Sequence, residues 1–150
     1  LTRAKPKVAS YPFTTINPNL GVSYFNNQEI TLADIPGLVE GAHKGVGLGD
    51  KFLRHIERCK ILLHLIDLSE ENLFTNYMKI RNELKKYGNN LFKKKELIIF
   101  NKSDLFEKKD IEKKLKVFSK KISKKYEIIS IFFEKDLKNI KKLLIRNVNR

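Results

Sequence analysis

Short apolar runs alternate with longer amphipathic stretches along this sequence, and that alternation restricts the accessible folds more than any other feature. Ile61-Leu62-Leu63-His64-Leu65-Ile66 is nearly unbroken in its apolar character, and Leu97-Ile98-Ile99-Phe100 is wholly so. Runs of this length mark strands buried on both faces of a sheet. Between them, Glu70 to Tyr87 reads as a helix that Gly88-Asn89-Asn90 brings to an end. Further on, Phe106 to Lys125 is a lysine-rich amphipathic helix with Ile111, Leu115, Phe118 and Ile122 on one stripe. Ile128 to Phe132 is a fourth apolar run, and Leu137 to Val148 a last helix with Leu137, Ile140, Leu144 and Val148 turned to the core. Toward the front, Val22–Phe25 and Glu29–Asp34 read as two strands joined by a tight Asn26-Asn27 turn. A helix is predicted over Leu48 to Arg58, with Phe52, Leu53 and Ile56 facing inward. Strands and helices in this order imply an α/β fold with a largely parallel sheet. In such sheets a ligand sits beyond the carboxyl ends of the strands, so the residues that follow each strand carry the chemistry.

Length and composition agree with one domain. The chain has 150 residues, and 41% of them are hydrophobic, enough to build a core. No apolar stretch is long and clean enough to cross a membrane. Arg3, Lys5 and Lys7 precede no apolar block, so no secretory pattern opens the sequence. The single cysteine, Cys59, excludes an internal disulfide and a cysteine-based zinc site, and a reducing, cytoplasmic setting is expected. The net charge is +14, yet residues 1–75 hold eight basic and eight acidic side chains. The whole excess lies in residues 76–150 and is mostly lysine. Two readings stay open for it: a solvated lysine surface, or a face that meets RNA.

The strand ends are distinctive. After the strand ending near Ala33 comes Asp34-Ile35-Pro36-Gly37. A carboxylate there can hold a magnesium ion through a water, and a glycine N–H can approach a terminal phosphate with no Cβ in the way. After Leu97–Phe100 comes Asn101-Lys102-Ser103-Asp104, an N-K-x-D arrangement. Its Asp offers two acceptors that match N1–H and the exocyclic amine of guanine, a donor pair adenine lacks. The Asn can tie the loop together and reach the other base edge, and the Lys stem can lie along the ring face. Asp67 ends the strand between them and reads as a strand-end or capping residue. Upstream, Tyr11-Pro12-Phe13-Thr14-Thr15 places a threonine hydroxyl where a first switch loop would ligate magnesium, while Tyr11 and Phe13 either contact a ligand or anchor the loop. Downstream, Gly41, Gly45, Gly47 and Gly49 surround His43 and Lys44 in a glycine-rich second switch that lacks the Gly-Lys-Ser/Thr of a phosphate loop. His43, His55 and His64 form no metal triad, and His64 reads as a hydrogen-bonded core residue.

Read together, these motifs resemble the Obg family of translation-factor-related GTPases. The resemblance runs through Arg3-Ala4-Lys5-Pro6-Lys7-Val8-Ala9, Tyr11-Pro12-Phe13-Thr14-Thr15, Pro18-Asn19-Leu20-Gly21-Val22, Asp34-Ile35-Pro36-Gly37-Leu38-Val39-Glu40-Gly41-Ala42, Gly45-Val46-Gly47-Leu48-Gly49 and Phe52-Leu53-Arg54-His55-Ile56-Glu57-Arg58. It continues through Leu62-Leu63-His64 and ends at Asn101-Lys102-Ser103-Asp104. It implies a Ras-like P-loop GTPase fold, a mostly parallel sheet with helices on both faces. It implies GTP or GDP and Mg²⁺ as ligands, with Thr15 and Asp34 at the metal and Gly37 sensing the γ-phosphate. Asn101, Lys102 and Asp104 would bind guanine. Leu38 stands where many other GTPases carry a catalytic glutamine, so slow intrinsic hydrolysis is implied. The expected partners are guanine nucleotide and the large ribosomal subunit with its rRNA, with no membrane and a monomeric chain.

The sequence departs from the family in two places. The next motif is usually Ser-Ala, whose backbone N–H meets the guanine oxygen; here it is Ser130-Ile131, and the glycines that usually follow are missing. The family's Gly-x-x-x-x-Gly-Lys-Ser loop and the central strand before it, which precede the matching segment in the family, do not occur within residues 1–150. Residues 1–150 are therefore expected to form a partial GTPase domain, with weak nucleotide binding and a weakened sheet when isolated. The alternative is a basic RNA- or ribosome-binding fragment without nucleotide turnover.

Overall fold

The apolar runs at 61–66 and 97–100 form neighbouring parallel strands in a computed structural model that describes residues 19–25, 27–34, 57–86, 88 and 90–148. Strand β1 spans Asn19–Phe25 and β2 spans Gln28–Asp34, followed by β3 (Leu62–Asp67), α1 (Leu73–Lys86), β4 (Glu96–Asn101), α2 (Lys108–Lys121), β5 (Tyr126–Ile128) and α3 (Glu134–Val148). The last three strands make a parallel sheet in the order β3-β4-β5. β1 and β2 pair antiparallel from Asn19↔Asp34 to Phe25↔Gln28 as a separate two-stranded sheet. The hairpin turn is the tight one the sequence predicts, and Asn27 takes the left-handed conformation (φ 58°) such turns require.

β4 is the centre of the architecture. Its side chains alternate between two cores, as a period of two demands. Ile98 and Phe100 point into a cluster with Ile66, Leu73, Tyr77, Ile111, Leu115 and Phe118, which seats α1 and α2 on one face. Ile99 points the other way, to Ile30, Ile129, Ile140 and Leu144, which seats α3 and the hairpin on the opposite face. Phe118 meets Phe100 edge-on at 5.0 Å and Tyr77 at 5.5 Å, the favoured geometry for aromatic pairs.

Four details correct the sequence expectations. The helix expected from Glu70 starts at Leu73, because the Asn72 side chain accepts the Thr75 N–H (3.0 Å) and caps it there. The helix expected to reach Lys125 stops at Lys121; the Ile122 N–H closes the last turn on Phe118 O, and Ile122 packs on the core from outside the helix. β5 is Tyr126–Ile128, and the apolar run Ile128–Phe132 shares only its first residue with that strand. Ile131, Phe132 and Phe133 lie beyond it and are exposed, because the Phe133 N–H bonds back to Ser130 O and turns the chain into α3, which begins at Glu134 rather than Leu137. Finally, β3 is not covered on both faces along its length: Leu65 is 58% exposed, on a strand that forms an edge of the three-stranded sheet among the described residues.

Candidate functional site

The carboxyl ends of β3, β4 and β5 lie side by side, and backbone hydrogen bonds bind the segments leaving them into one unit. The Leu68 N–H donates to Asn101 O (3.0 Å), the Ile129 N–H to Phe100 O (2.8 Å) and the Ser103 N–H to Ile129 O (3.1 Å). The Asn101–Asp104 loop is thus tied to the exit of β3 on one side and that of β5 on the other. Within it the side chains divide sharply by exposure. Asn101 Oδ1 is buried and has no hydrogen-bond partner among the described residues. A buried carbonyl oxygen in that state is open to a donor. Lys102 is half exposed and Asp104 is exposed, in the single 3-10 turn Ser103–Leu105. Lys102 takes the left-handed backbone conformation (φ 67°), which a non-glycine residue keeps only when its surroundings hold it there.

Backbone bonds on either side fix that turn, including the Leu105 N–H to Lys102 O (3.2 Å), and the Lys102 side chain reaches Asp67. Lys102 Nζ lies 2.5 Å from Asp67 Oδ2. The other carboxylate oxygen accepts both the Ser69 N–H (2.8 Å) and the Ser69 hydroxyl (2.7 Å), a local turn of the kind an Asp-x-Ser sequence encodes. Partial burial pushes the Asp67 carboxyl up, but the Lys102 and Ser69 donors outweigh it and bring its pKa to about 2. The same bond raises Lys102 above its ordinary value. Sequence reasoning placed Asp67 outside the site, and its tie to Lys102 had one legible sign, the Asp-Leu-Ser string at the strand end.

The other candidates are distributed as follows. Ser130 is fully buried; its N–H donates to Asp136 Oδ2 (2.9 Å), and its hydroxyl accepts the Phe132 N–H (3.2 Å). Ile131 is 53% exposed and starts the turn into α3. Asp34 ends β2 opposite Asn19 with an exposed side chain. Thr15, Gly37, Leu38 and His43 lie outside the described residues. His64 is the hydrogen-bonded core residue expected, bonded through Nδ1 to Glu96 at 2.9 Å and stacked on Tyr77. Cys59 is half-buried. No group of three metal-ligating side chains occurs among the described residues. A lone exposed carboxylate such as Asp34 suits Mg²⁺ all the same, since that ion takes one or two carboxylates and fills its octahedron with water and phosphate.

Comparison with known proteins decides the family. A family model described as "50S ribosome-binding GTPase" matches residues 1–102. A GTPase Obg from Pelagibacter ubique is 51% identical over 149 residues, 99% of this chain and 46% of that protein. GTPases Obg from Ehrlichia ruminantium and Rickettsia typhi are 47% and 48% identical, over 99% and 97% of this chain. The chain belongs to the Obg family of GTPases. Its fold is accordingly that of the P-loop GTPases, with the parallel β3-β4-β5 sheet and its flanking helices as the described part. The chain spans less than half the length of these curated relatives. Their alignments take in nearly the whole of it, including the lysine-rich half where the resemblance read from motifs gives out.

Proposed function

We propose that the protein binds guanine nucleotides at the carboxyl end of its parallel sheet and, as a full chain, hydrolyses GTP with Mg²⁺ as a switch in large-ribosomal-subunit assembly. One observation carries this reading: the Asn101–Asp104 loop at the end of the central strand β4, with its buried open acceptor on Asn101, its anchored Lys102 and its exposed Asp104. Asp104 takes the N1–H and amino donors of guanine, which sets the base preference. Asn101 braces the loop and meets the far edge of the base. The Lys102 stem covers one face of the ring. The backbone at Ser130-Ile131 closes the site on the β5 side; the Ser130 N–H is already taken by Asp136, which leaves this role to Ile131. Thr15 and Asp34 would hold the magnesium ion, which neutralises charge on the phosphates, and Gly37 would meet the γ-phosphate. Leu38 cannot orient water, so hydrolysis is slow without an assisting group or partner.

The test is a base-preference experiment on the full-length protein. Asp104→Asn is expected to exchange guanine for xanthine preference, because the new amide donates to the oxygen that replaces the amine. Retention of GDP preference by this variant would sink the reading.

A second reading draws on α2. Lys108, Lys109, Lys113, Lys116 and Lys120 are exposed along it and offer a cationic face for RNA phosphates. RNA binding that is indifferent to nucleotide and lost on neutralising Lys113, Lys116 and Lys120 favours this reading over the first.

A further inference from the structure

The Asp67–Lys102 contact joins the ends of two strands at the place where the guanine reading puts the base. Its surroundings fix the carboxylate before the lysine is considered. Ser69 supplies two donors to Oδ1 (2.8 and 2.7 Å) and so turns Oδ2 toward Lys102 Nζ, 2.5 Å away. The segment carrying Ser69 is itself anchored at three points. Leu68 is fully buried, its N–H donates to Asn101 O (3.0 Å), and Lys114 reaches from α2 to Leu68 O (2.7 Å) and Glu70 O (3.2 Å). On the other side, Lys102 has a left-handed backbone (φ 67°), a conformation that costs a non-glycine residue free energy and makes the loop sensitive to what its side chain meets. A half-exposed ion pair contributes little to stability. Stability therefore gives no account of a carboxylate aligned by two local donors and aimed at the lysine of this loop. A role in shaping the loop does.

We propose that Asp67 is a positioning residue for base recognition: aligned by Ser69, its carboxylate holds the Lys102 side chain and so keeps Asn101 and Asp104 presented to guanine. The proposal rests on the guanine reading above. Asp67 touches no nucleotide; it acts through Lys102. Release of Lys102 frees its stem from the end of β3 and loosens the side-chain order of a loop whose backbone stays tied to β3 and β5, so the base-binding groups on either side of that residue lose their common orientation.

The experiment is a double-mutant cycle on the full-length protein, with equilibrium binding of GDP and ADP and the thermal midpoint measured for each variant. Asp67→Asn keeps the acceptor for Ser69 and removes the charge. It is expected to weaken GDP binding about tenfold, the scale of one lost charge-assisted bond, with little change in thermal midpoint. Asp67→Glu, which keeps the charge, should retain more affinity than Asp67→Asn. Lys102→Met should show a comparable loss, and the double variant should bind no worse than the poorer single. Wild-type GDP affinity in Asp67→Asn overturns the proposal, as does a double variant whose loss is the product of the two single losses. A loss accompanied by a large fall in thermal midpoint assigns Asp67 to structure and also overturns it. A parent protein that does not prefer GDP to ADP removes the guanine reading itself; that result is read before any variant is made, so the two failures are distinguishable.

Discussion

The two ends of the parallel sheet each carry a carboxylate whose pKa is brought down to about 2, and the two are built for different work. At the amino end, Glu96 opens β4 with a side chain only 2% exposed. His64 Nδ1 (2.9 Å), Tyr77 Oη (3.0 Å) and Lys124 Nζ (2.9 Å) all bond to it, and Arg81 Nη1 stands 3.6 Å away. Burial raises this carboxyl, and the donors from β3, α1 and the α2–β5 connection more than reverse it. The His64 and Arg81 partners are nearly buried (9% and 16% exposed), and only Lys124, at 44%, reaches out to water. At the carboxyl end, Asp67 is 29% exposed and its lysine 48% exposed. It has fewer partners and stands next to a loop of polar groups that have open positions. A depressed carboxylate therefore does not by itself mark a functional site. The position along the strand and the open valences of the neighbours make the distinction, as the strand-end rule for α/β sheets leads one to expect.

The contrast is broken most forcefully at Glu96. Glu96→Gln leaves Arg81, 16% exposed, facing a neutral amide, while the 44% exposed Lys124 can turn to water, so the cost should sit at the lower end of that for breaking a buried ionic network, about 3 kcal/mol. Thermal or denaturant unfolding measures this directly. Nucleotide preference should not change. Loss of base discrimination with intact stability would mean that the two ends do not divide the work as described.

The same contrast has a pH signature. Glu96 titrates near 4.5 when unfolded and about 2 when folded. A folded value below the unfolded one means that its contribution is full above pH 4.5 and is lost as pH falls toward 2. Unfolding free energy should therefore decline through this window in the parent. In Glu96→Gln the decline should be shallower by about 3 kcal/mol, the equivalent of the shift. An equally steep acid limb in the variant would assign the acid sensitivity to other carboxylates.

How far the sequence revealed these two ends differs in an instructive way. The α/β class, the hairpin, the two central strands and the N-K-x-D loop were legible, because each rests on local periodicity or on a short contiguous string. The core seat of His64 was legible too, from its place inside an apolar run. Its partner Glu96 was not, since it lies 32 residues away and only the pairing of β3 with β4 brings them together. Lys102 is read from its motif and Asp67 as a strand-end residue, but their pairing across 35 positions is not legible, for the same reason. The Ile128–Phe132 run does not mark the extent of β5, because exposed apolar residues in a turn have the same composition as buried ones. The start of α1 was misplaced because Asn72 competes with earlier polar residues for the cap, and only its bond to Thr75 decides between them.

At the open end, effects on stability should be small. Asp67→Asn removes a charge from a pair whose lysine is half in water, and its cost to folding should stay below about 1 kcal/mol. Set against Glu96→Gln in the same unfolding assay, this is the plainest measure of the difference between the ends. Equal losses would show that the strand-end pair is structural.

The smallest expected effect on nucleotide affinity is at Lys114, which links the two regimes. It projects from α2, whose opposite stripe lies in the core, and its ammonium reaches the carbonyls of Leu68 and Glu70 while passing over the Phe106 ring at 4.7 Å. Lys114→Met keeps the apolar stem and removes the donors. Leu68 is fully buried, so its carbonyl oxygen loses a charge-assisted partner, whereas Glu70 is exposed and water can take the place of the lysine. The net cost to folding should be about 1–3 kcal/mol. Because the Ser69 donors remain, Asp67 keeps its alignment in most of the population, and GDP affinity should fall by less than in Asp67→Asn. An affinity loss in Lys114→Met as large as in Asp67→Asn would place control of the loop in α2 rather than in the strand-end carboxylate.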